Sequence, residues 1–245
     1  RQLNANILQI ENEYYSTIRP KQPLVKNEKP IHALGERGVQ YIELRSLDLN
    51  LYDPMGVSDT QLYFLEAFML FCLLQESPLI DKAEREAVDS NDSKVAHQGR
   101  DPNLKLVNQD RQQVSLQSWG RGLLTEMQAV CTILDEQNST TKYSESLQYQ
   151  QAAIEDSSLT PSARVLQDMH ENQECFFELA NRISRHHEKQ LRDSTLSEKD
   201  MIFFQNHVRQ SVEKQGQIEA SDTISFDQFL HNYFSNTVSE QEVKV

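Results

Sequence analysis

"VQYIELRSLD", Val39 to Asp48, sets a glutamate and an arginine two residues apart in a run that otherwise reads as a β-strand. Successive side chains of a strand point to opposite faces. Tyr41, Glu43 and Arg45 therefore share one face, and Ile42 and Leu44 share the other. Upstream, "NILQIENEYY", Asn6 to Tyr15, alternates in the same way, with Glu11, Glu13 and Tyr15 on one side and Ile10, Asn12 and Tyr14 on the other. Pro20 and Pro23 are expected to stop that first strand, since proline cannot donate to a ladder. A polar loop from Lys21 to about Glu36 follows, with Arg19 and Lys21 expected on a solvated turn. The second strand is expected over Val39 to about Leu49, and "YDPMG", Tyr52 to Gly56, reads as a turn. Two strands alone do not make a stable sheet. No later segment offers them a convincing partner, and the chain opens without a methionine. The expectation is an internal start, with an N-terminal portion missing.

From Ser58 the period becomes helical. "SDTQLYFLEAFMLFCLLQES" offers Ser58 as N-cap and Leu62, Leu65, Phe68, Met69, Cys72 and Leu73 at three- and four-residue spacing. It is apolar nearly all round, which predicts a central buried helix. Residues 77–115 are polar and weakly patterned, with "GRDPNLKL" as a loop or short extended piece. Further helices are predicted at 116–137, at 142–156, from Pro161 to about Arg192 as one long element, at about 197–219, and from Phe226 to Phe234. The 116–137 helix carries Trp119, Leu123, Leu124, Met127, Val130, Cys131 and Leu134 on its apolar side. The reading is thus α+β: strands and loops over 1–57, a helical body over 58–245, and the whole 1–245 a single C-terminal portion of something larger.

Charge narrows the function classes. The chain carries −13. Residues 1–58 are balanced, so the remaining 17 Lys/Arg and 30 Asp/Glu carry all of it. An acidic body argues against nucleic-acid binding, which needs cations to displace counterions, and against an anionic membrane surface. Cys72, Cys131 and Cys175 are few, odd in number and free of CxxC spacing, which reads as reduced, buried thiols in a cytosolic protein. His170, His186 and His187 are expected on a solvated helix surface. There is no GxxxxGK[ST], GxGxxG or GxSxG.

The residues of the opening stretch leave two readings open. A strand carboxylate is a hard oxygen ligand suited to Mg²⁺. An arginine about 7 Å further on can hold a phosphate oxygen through its planar fork, and metal plus arginine is how phosphoryl-transfer sites neutralise charge. The other reading is an ion pair on a solvated sheet face.

"LNANILQIENEYYSTIRPK" followed by "GVQYIELRSLDLN" and a "P.GV" turn resembles the proteobacterial type of glutamate–cysteine ligase. The spacing from Tyr15 to Glu43 fits without a gap, and weaker likeness continues through "FMLFCLL", "GRDPNLKL" and "SARVL". The resemblance implies an antiparallel, glutamine-synthetase-like active-site sheet backed by helices. It implies ATP-dependent joining of the glutamate γ-carboxylate to the cysteine amine through γ-glutamyl phosphate, the first step of glutathione synthesis. The implied cofactors are ATP and Mg²⁺, with Mn²⁺ as the alternative ion, and the implied partners are L-glutamate, L-cysteine and ATP in a cytoplasmic monomer. By position, Glu43 falls on a metal ligand, Arg45 on the arginine that contacts the transferred phosphate, and Tyr15 on the cysteine pocket. Glu11, Asn12, Glu13, Arg19 and Lys21 match the motif without an assigned role. "LNLYDP" departs from the family's Asn-Pro at Leu51 and Tyr52. The family's N-terminal half, which supplies other metal and glutamate ligands, is absent, so this chain alone is expected to be inactive. A related ligase with a different acceptor and a non-catalytic acidic helical interaction module are the competing classes.

Overall fold

The computed structural model describes residues 7–8, 15–25 and 28–235. The fold is α+β: nine α-helices and two separate two-stranded antiparallel sheets among the described residues. They group into two compact units, one of residues 49–193 and one of residues 1–48 with 194–245.

In the 49–193 unit, helices α2 (Asp59–Leu74), α4 (Leu116–Asn138) and α5 (Lys142–Glu155) enclose the main core. Its buried members are Ala67, Phe71, Leu124, Met127, Val130, Cys131, Tyr143 and Leu147. Of the three cysteines expected to be buried only Cys131 is; Cys72, near the end of α2, and Cys175, just before Phe176, are exposed. Of the α4 face predicted from spacing, Leu124, Met127, Val130 and Cys131 pack here with Leu134 against them, whereas Leu123 is exposed and Trp119 lies outside the cluster. Helix α2 starts as predicted, with a full capping box between Ser58 and Gln61. Its burial is narrower than its composition implied: Leu62, Leu73 and Leu74 stay more than half exposed, because α4 and α5 pack on only part of its circumference. Glu66, the lone charge in that apolar run, accepts a 2.8 Å hydrogen bond from the Tyr143 hydroxyl. Tyr63 packs edge-on against the Tyr143 ring at 4.9 Å. The Glu66 carboxylate and burial together push the Tyr143 hydroxyl up to about 12.

The α4–α5 corner is built on Asp135. Thr141, the residue before α5, makes no side-chain cap. Asp135, buried near the end of α4, takes that role from a distance: its Oδ1 accepts from Tyr143 N and its Oδ2 from Ser144 N, both at 3.0 Å. These are the second and third amides of α5, the donors that a helix start leaves unsatisfied. Ser139 ends α4 in the left-handed region at φ 50°.

Sequence pattern misses three features of this unit. Residues 82–98, read as unpatterned, form α3 (Lys82–Gln98), capped by Asp81. Val88 and Val95 are its only large apolar residues, so the sequence shows no apolar stripe to detect. The "GRDPNLKL" segment leads into a hairpin, β3 (Lys105–Val107) and β4 (Gln113–Ser115), with Leu106 opposite Val114. Asn91 of α3 binds that edge like another strand residue, through Val107 O at 2.8 Å and Val107 N at 3.0 Å. The helix expected from Pro161 to Arg192 is broken into α6 (Pro161–Asn172) and α7 (Phe176–Asp193). Gln173 turns left-handed at φ 54°, and Glu178 accepts from Cys175 N at 2.8 Å to start the new helix.

The "YDPMG" turn is tied down firmly. Tyr52 donates to Asp168 at 2.7 Å, and the Arg164 guanidinium lies 3.5 Å over its ring. Burial and the Asp168 carboxylate push the Tyr52 hydroxyl up to about 12. His187 is not a solvated surface residue: its Nε2 donates to Leu51 O at 2.9 Å, and its Nδ1 is buried without a hydrogen-bond partner. The two residues at which the loop departs from the family pattern are the ones gripped by α6 and α7.

In the other unit, β1 (Ile18–Lys21) pairs antiparallel with β2 (Tyr41–Leu44). The strand expected over Asn6 to Tyr15 lies almost wholly outside the described residues. The strand observed is the next segment, and Pro20 sits inside it rather than ending it. A proline is tolerated where a strand is an edge, and both strands of this pair are edges among the described residues. Arg19 and Lys21 are therefore strand residues, not turn residues. The polar loop contains a helix, α1 (Pro30–Arg37), with Pro30 in its first turn. Arg37 closes the loop by a bidentate pair with Glu28 at 2.7 and 2.6 Å. Helices α8 (Glu198–Ala220) and α9 (Phe226–Phe234) complete the unit close to their predicted ranges.

Two outcomes follow from the 49–193 unit. Met127→Ala, at a fully buried position, lowers the unfolding free energy by about 2–5 kcal/mol in urea titrations. Asp135→Ala costs about 1–2 kcal/mol through the lost cap. Burial raises the Asp135 pKa, but hydrogen bonds from Ser144 and Tyr143 outweigh it and leave it lowered. Its contribution is therefore present above pH ~4 and lost as pH falls through the lower folded value. The Asp135→Ala penalty should vanish in acid; a constant penalty would show that the charge is irrelevant.

Candidate functional site

The β1–β2 register places Arg19 opposite Glu43 and Lys21 opposite Tyr41. Directly opposed residues of an antiparallel pair share a face. Arg19, Lys21, Tyr41 and Glu43 therefore lie on one face. Arg45 follows β2 and stays in register, its amide donating to Thr17 O at 2.8 Å.

Glu43 is the centre of this face. Its Oε1 accepts from Arg45 Nε at 2.7 Å, and its Oε2 meets Lys21 Nζ at 2.8 Å. Both carboxylate oxygens are engaged by cations. The Arg45 hydrogen bond, then the Lys21 one, hold the Glu43 carboxyl down at about 2. The reciprocal bond to Glu43 raises Arg45 further above the usual arginine value. Arg45 also lies over the Tyr15 ring, 5.0 Å from its centroid, so the three residues singled out by sequence meet at one place. Tyr15 is 72% exposed.

Beside this cluster is a pocket of about 310 Å³. Arg19, Lys21 and Arg45 line it together with apolar groups that include Pro23, Leu34 and Tyr41. Three cations against an apolar wall suit an anion with a flat or apolar body. Lys21 is the residue that sequence reading undervalued. The signal was available in "IRPK": once that segment is a strand, Lys21 shares a face with Glu43.

The donor set bears on a metal. Among the described residues, no group of three or more His, Cys, Asp or Glu side chains is gathered to hold one. Glu11 and Glu13 lie outside the described residues. Mg²⁺ commonly takes one or two protein carboxylates and fills its shell with water and phosphate oxygens. Glu43 fits as one such ligand and not as a complete cage, and it would have to release an oxygen from Lys21 or Arg45 to serve. Among the described residues no helix is long and apolar enough to cross a membrane.

The ion-pair geometry can be tested directly. Arg45→Ala should raise the Glu43 pKa from about 2 toward the unperturbed ~4.3. Lys21→Ala should raise it less. Carboxyl-carbon NMR titration reads both, and an unmoved Glu43 titration would remove Arg45 as its controlling partner.

Comparison with known proteins agrees in sequence and in fold. The glutamate-cysteine ligase family model matches residues 1–95. Glutamate–cysteine ligase of Pseudomonas fluorescens is 41% identical over 232 residues, 95% of this chain and 43% of that protein. The enzyme of a Janthinobacterium species is 39% identical over 236 residues, 96% of this chain and 44% of that protein. The crystal structure of Francisella tularensis glutamate–cysteine ligase in complex with AMP superposes with TM-score 0.86 at 33% identity, covering 96% of this chain and 46% of that one. A bifunctional glutathione synthetase from Pasteurella multocida, at 21% identity and TM-score 0.56, shares the fold over 74% of this chain and 22% of its own. The chain spans less than half the length of these relatives.

Proposed function

Because this chain belongs to the glutamate–cysteine ligase family, of whose members it spans less than half, we propose that it forms one wall of a ligase active site. The reaction is ATP-dependent joining of the glutamate γ-carboxylate to the amine of cysteine, the entry to glutathione synthesis. The observation that carries this reading is the Glu43–Arg45 pair beside a pocket with three cations. A Francisella relative in complex with AMP supports the use of a nucleotide.

The chemistry divides into two transfers. The γ-carboxylate of glutamate attacks the terminal phosphorus of ATP; the bond to the β,γ-bridging oxygen breaks and ADP leaves. The cysteine nitrogen then attacks the acyl carbon of γ-glutamyl phosphate. The carbon–oxygen bond breaks, phosphate departs with the electron pair, and the nitrogen loses its proton. Arg45 serves both as the site of transferred-phosphate contact. Its bond to Glu43 uses Nε, which leaves the Nη edge of the guanidinium to fork onto phosphoryl oxygens. Such a donor stabilises negative charge as it moves between phosphate oxygens. Tyr15 belongs to the cysteine pocket, and the Arg45 guanidinium over its ring fixes that ring's position. Glu43 would hold one Mg²⁺ through Oε2 on releasing Lys21, while Oε1 keeps Arg45 aimed. When bound, the ion neutralises phosphate charge. With its carboxyl held at about 2 by Arg45 and Lys21, Glu43 is ionised throughout the working range.

The test places this chain in the Pseudomonas fluorescens ligase in exchange for the portion it matches. That chimera should release ADP only with Mg²⁺, glutamate and cysteine together. The 245-residue chain alone should release none, since one wall lacks the other's ligands. Arg45→Ala should slow γ-glutamyl phosphate formation by about 10²–10³-fold while leaving the glutamate KM nearly unchanged. A change in glutamate KM with normal acyl-phosphate formation would reassign Arg45 to glutamate binding. Glu43→Gln should abolish ligation without loss of fold, and near-normal turnover would exclude its metal role.

A further inference from the structure

Lys21 holds a position that the roles of Glu43, Arg45 and Tyr15 leave unexplained. It lies on the same face of the β1–β2 pair as Glu43. Its Nζ meets Glu43 Oε2 at 2.8 Å, and its side chain also lines the pocket with Arg19 and Arg45. One side chain thus reaches both the carboxylate and the space that suits an anion. Its backbone is fixed. Lys21 O accepts from Gln40 N at 2.9 Å, the residue is paired opposite Tyr41, and the ring of Pro20 before it locks φ there. Any movement therefore lies in the four-carbon stem, which carries a compact ammonium with three rotatable donors.

Arg45 is held in another way. Its Nε donates to Glu43 Oε1 at 2.7 Å, and its guanidinium lies over the Tyr15 ring. That bond leaves the Nη edge for a phosphate, so Arg45 can serve an anion without leaving Glu43. Lys21 is the more exposed of the two, 29% against 20%, and carries its charge on one atom. Charge decides how long that atom stays on Oε2. A divalent ion on the same oxygen would stand beside the ammonium, and like charges at that range repel. A phosphate oxygen in the pocket offers the ammonium an opposite charge in exchange. Metal without an anion would instead add two positive charges where Arg19, Lys21 and Arg45 already face one carboxylate.

We propose that Lys21 is an exchange residue: it occupies Glu43 Oε2 until a divalent cation takes that oxygen, and then carries its ammonium to a phosphate oxygen in the pocket. The inference rests on the metal position proposed for Glu43 and adds a partner to it. Metal alone competes with Lys21 for Oε2 and binds weakly. Metal and phosphate together bind cooperatively, because the metal frees the ammonium that the phosphate needs, and by linkage each tightens the other equally.

The experiment uses the full 245-residue chain with Mg²⁺ and AMP, followed by NMR of the lysine ammonium nitrogens and the AMP phosphorus. AMP presents one phosphate on a flat apolar body and binds Mg²⁺ only weakly in solution, so coupling between the two reports the protein. Glu43→Gln should shift the Lys21 ammonium signal, which identifies the resting pair. Mg²⁺ and AMP together should move that signal off its Glu43-bound position and shift the AMP phosphorus; Mg²⁺ alone should move it little. Saturating Mg²⁺ should tighten AMP about fivefold. Lys21→Met keeps the stem and removes the charge. It should weaken AMP about threefold, tighten Mg²⁺ in the absence of AMP by a similar factor, and remove most of the coupling. Lys21→Arg should restore AMP binding, with unchanged circular dichroism in both variants. Three results overturn the proposal: a Lys21 signal that Mg²⁺ and AMP together leave in place, uptake of neither probe included; AMP affinity unchanged in Lys21→Met; and Mg²⁺ affinity unchanged or lowered in that variant. None of these readouts needs turnover. An active chimera with a static Lys21 therefore removes this inference alone, and an exchanging Lys21 in an inactive chimera removes the proposed function alone.

Discussion

The 49–193 unit depends on one buried carboxylate. Asp135 sits near the end of α4 and accepts hydrogen bonds from the second and third amides of α5. A buried charge is tolerated only when its lone pairs are met by donors, and here both donors are backbone groups at a positive helix end. That constraint fixes where α5 begins relative to α4. It thereby sets Tyr143 at the position from which its ring enters the core and its hydroxyl reaches Glu66 on α2. The polar contact joining the three helices and the apolar cluster between them are consequences of the same corner.

Glu43 obeys the same rule with a different result. Its two oxygens are also fully engaged, but by the long side chains of Arg45 and Lys21 instead of backbone amides. Backbone donors cannot leave without unfolding a helix turn. Side-chain cations can rotate away, because each is a surface group whose pairing contributes little net stability. Asp135 is thus committed to structure, whereas Glu43 can exchange one ionic partner for another. A carboxylate kept ionised by replaceable cations is compatible with the metal role proposed for it above.

The same contrast explains what was legible in the sequence. The period of α2, α4, α5, α8 and α9 is written in side chains that pack or cap, and those elements appear near their expected ranges. The Tyr15, Glu43 and Arg45 grouping was legible through alternation along β2 and the matched upstream block. Helix α3 was not, because Val88 and Val95 are its only large apolar residues and make no stripe. The α6–α7 break was not, because Gln173 takes a left-handed conformation that glycine or asparagine usually signals. His187 was misread because its environment depends on Leu51, 136 residues away in sequence. Lys21 was misread because Pro20 was taken as a stop. Proline forbids a central strand, not an edge one, and only the pairing shows which applies.

The charge distribution raises a last question for a chain of −13 that carries a pocket lined by three cations. Long-range repulsion is weaker than the total suggests. At physiological ionic strength exposed charges farther than ~8 Å are largely screened, so an approaching phosphate is governed by its immediate surroundings. Residues 1–58 carry no net charge, and three of their cations, Arg19, Lys21 and Arg45, line the same pocket. The acidic excess lies in residues 59–245, largely on exposed helix surfaces. Acidic surface and cationic pocket are therefore compatible, since the acidic charges beyond one Debye length are screened from the pocket. The Glu43 carboxylate sharpens this rather than opposing it, since it fixes the direction of the two cations it binds.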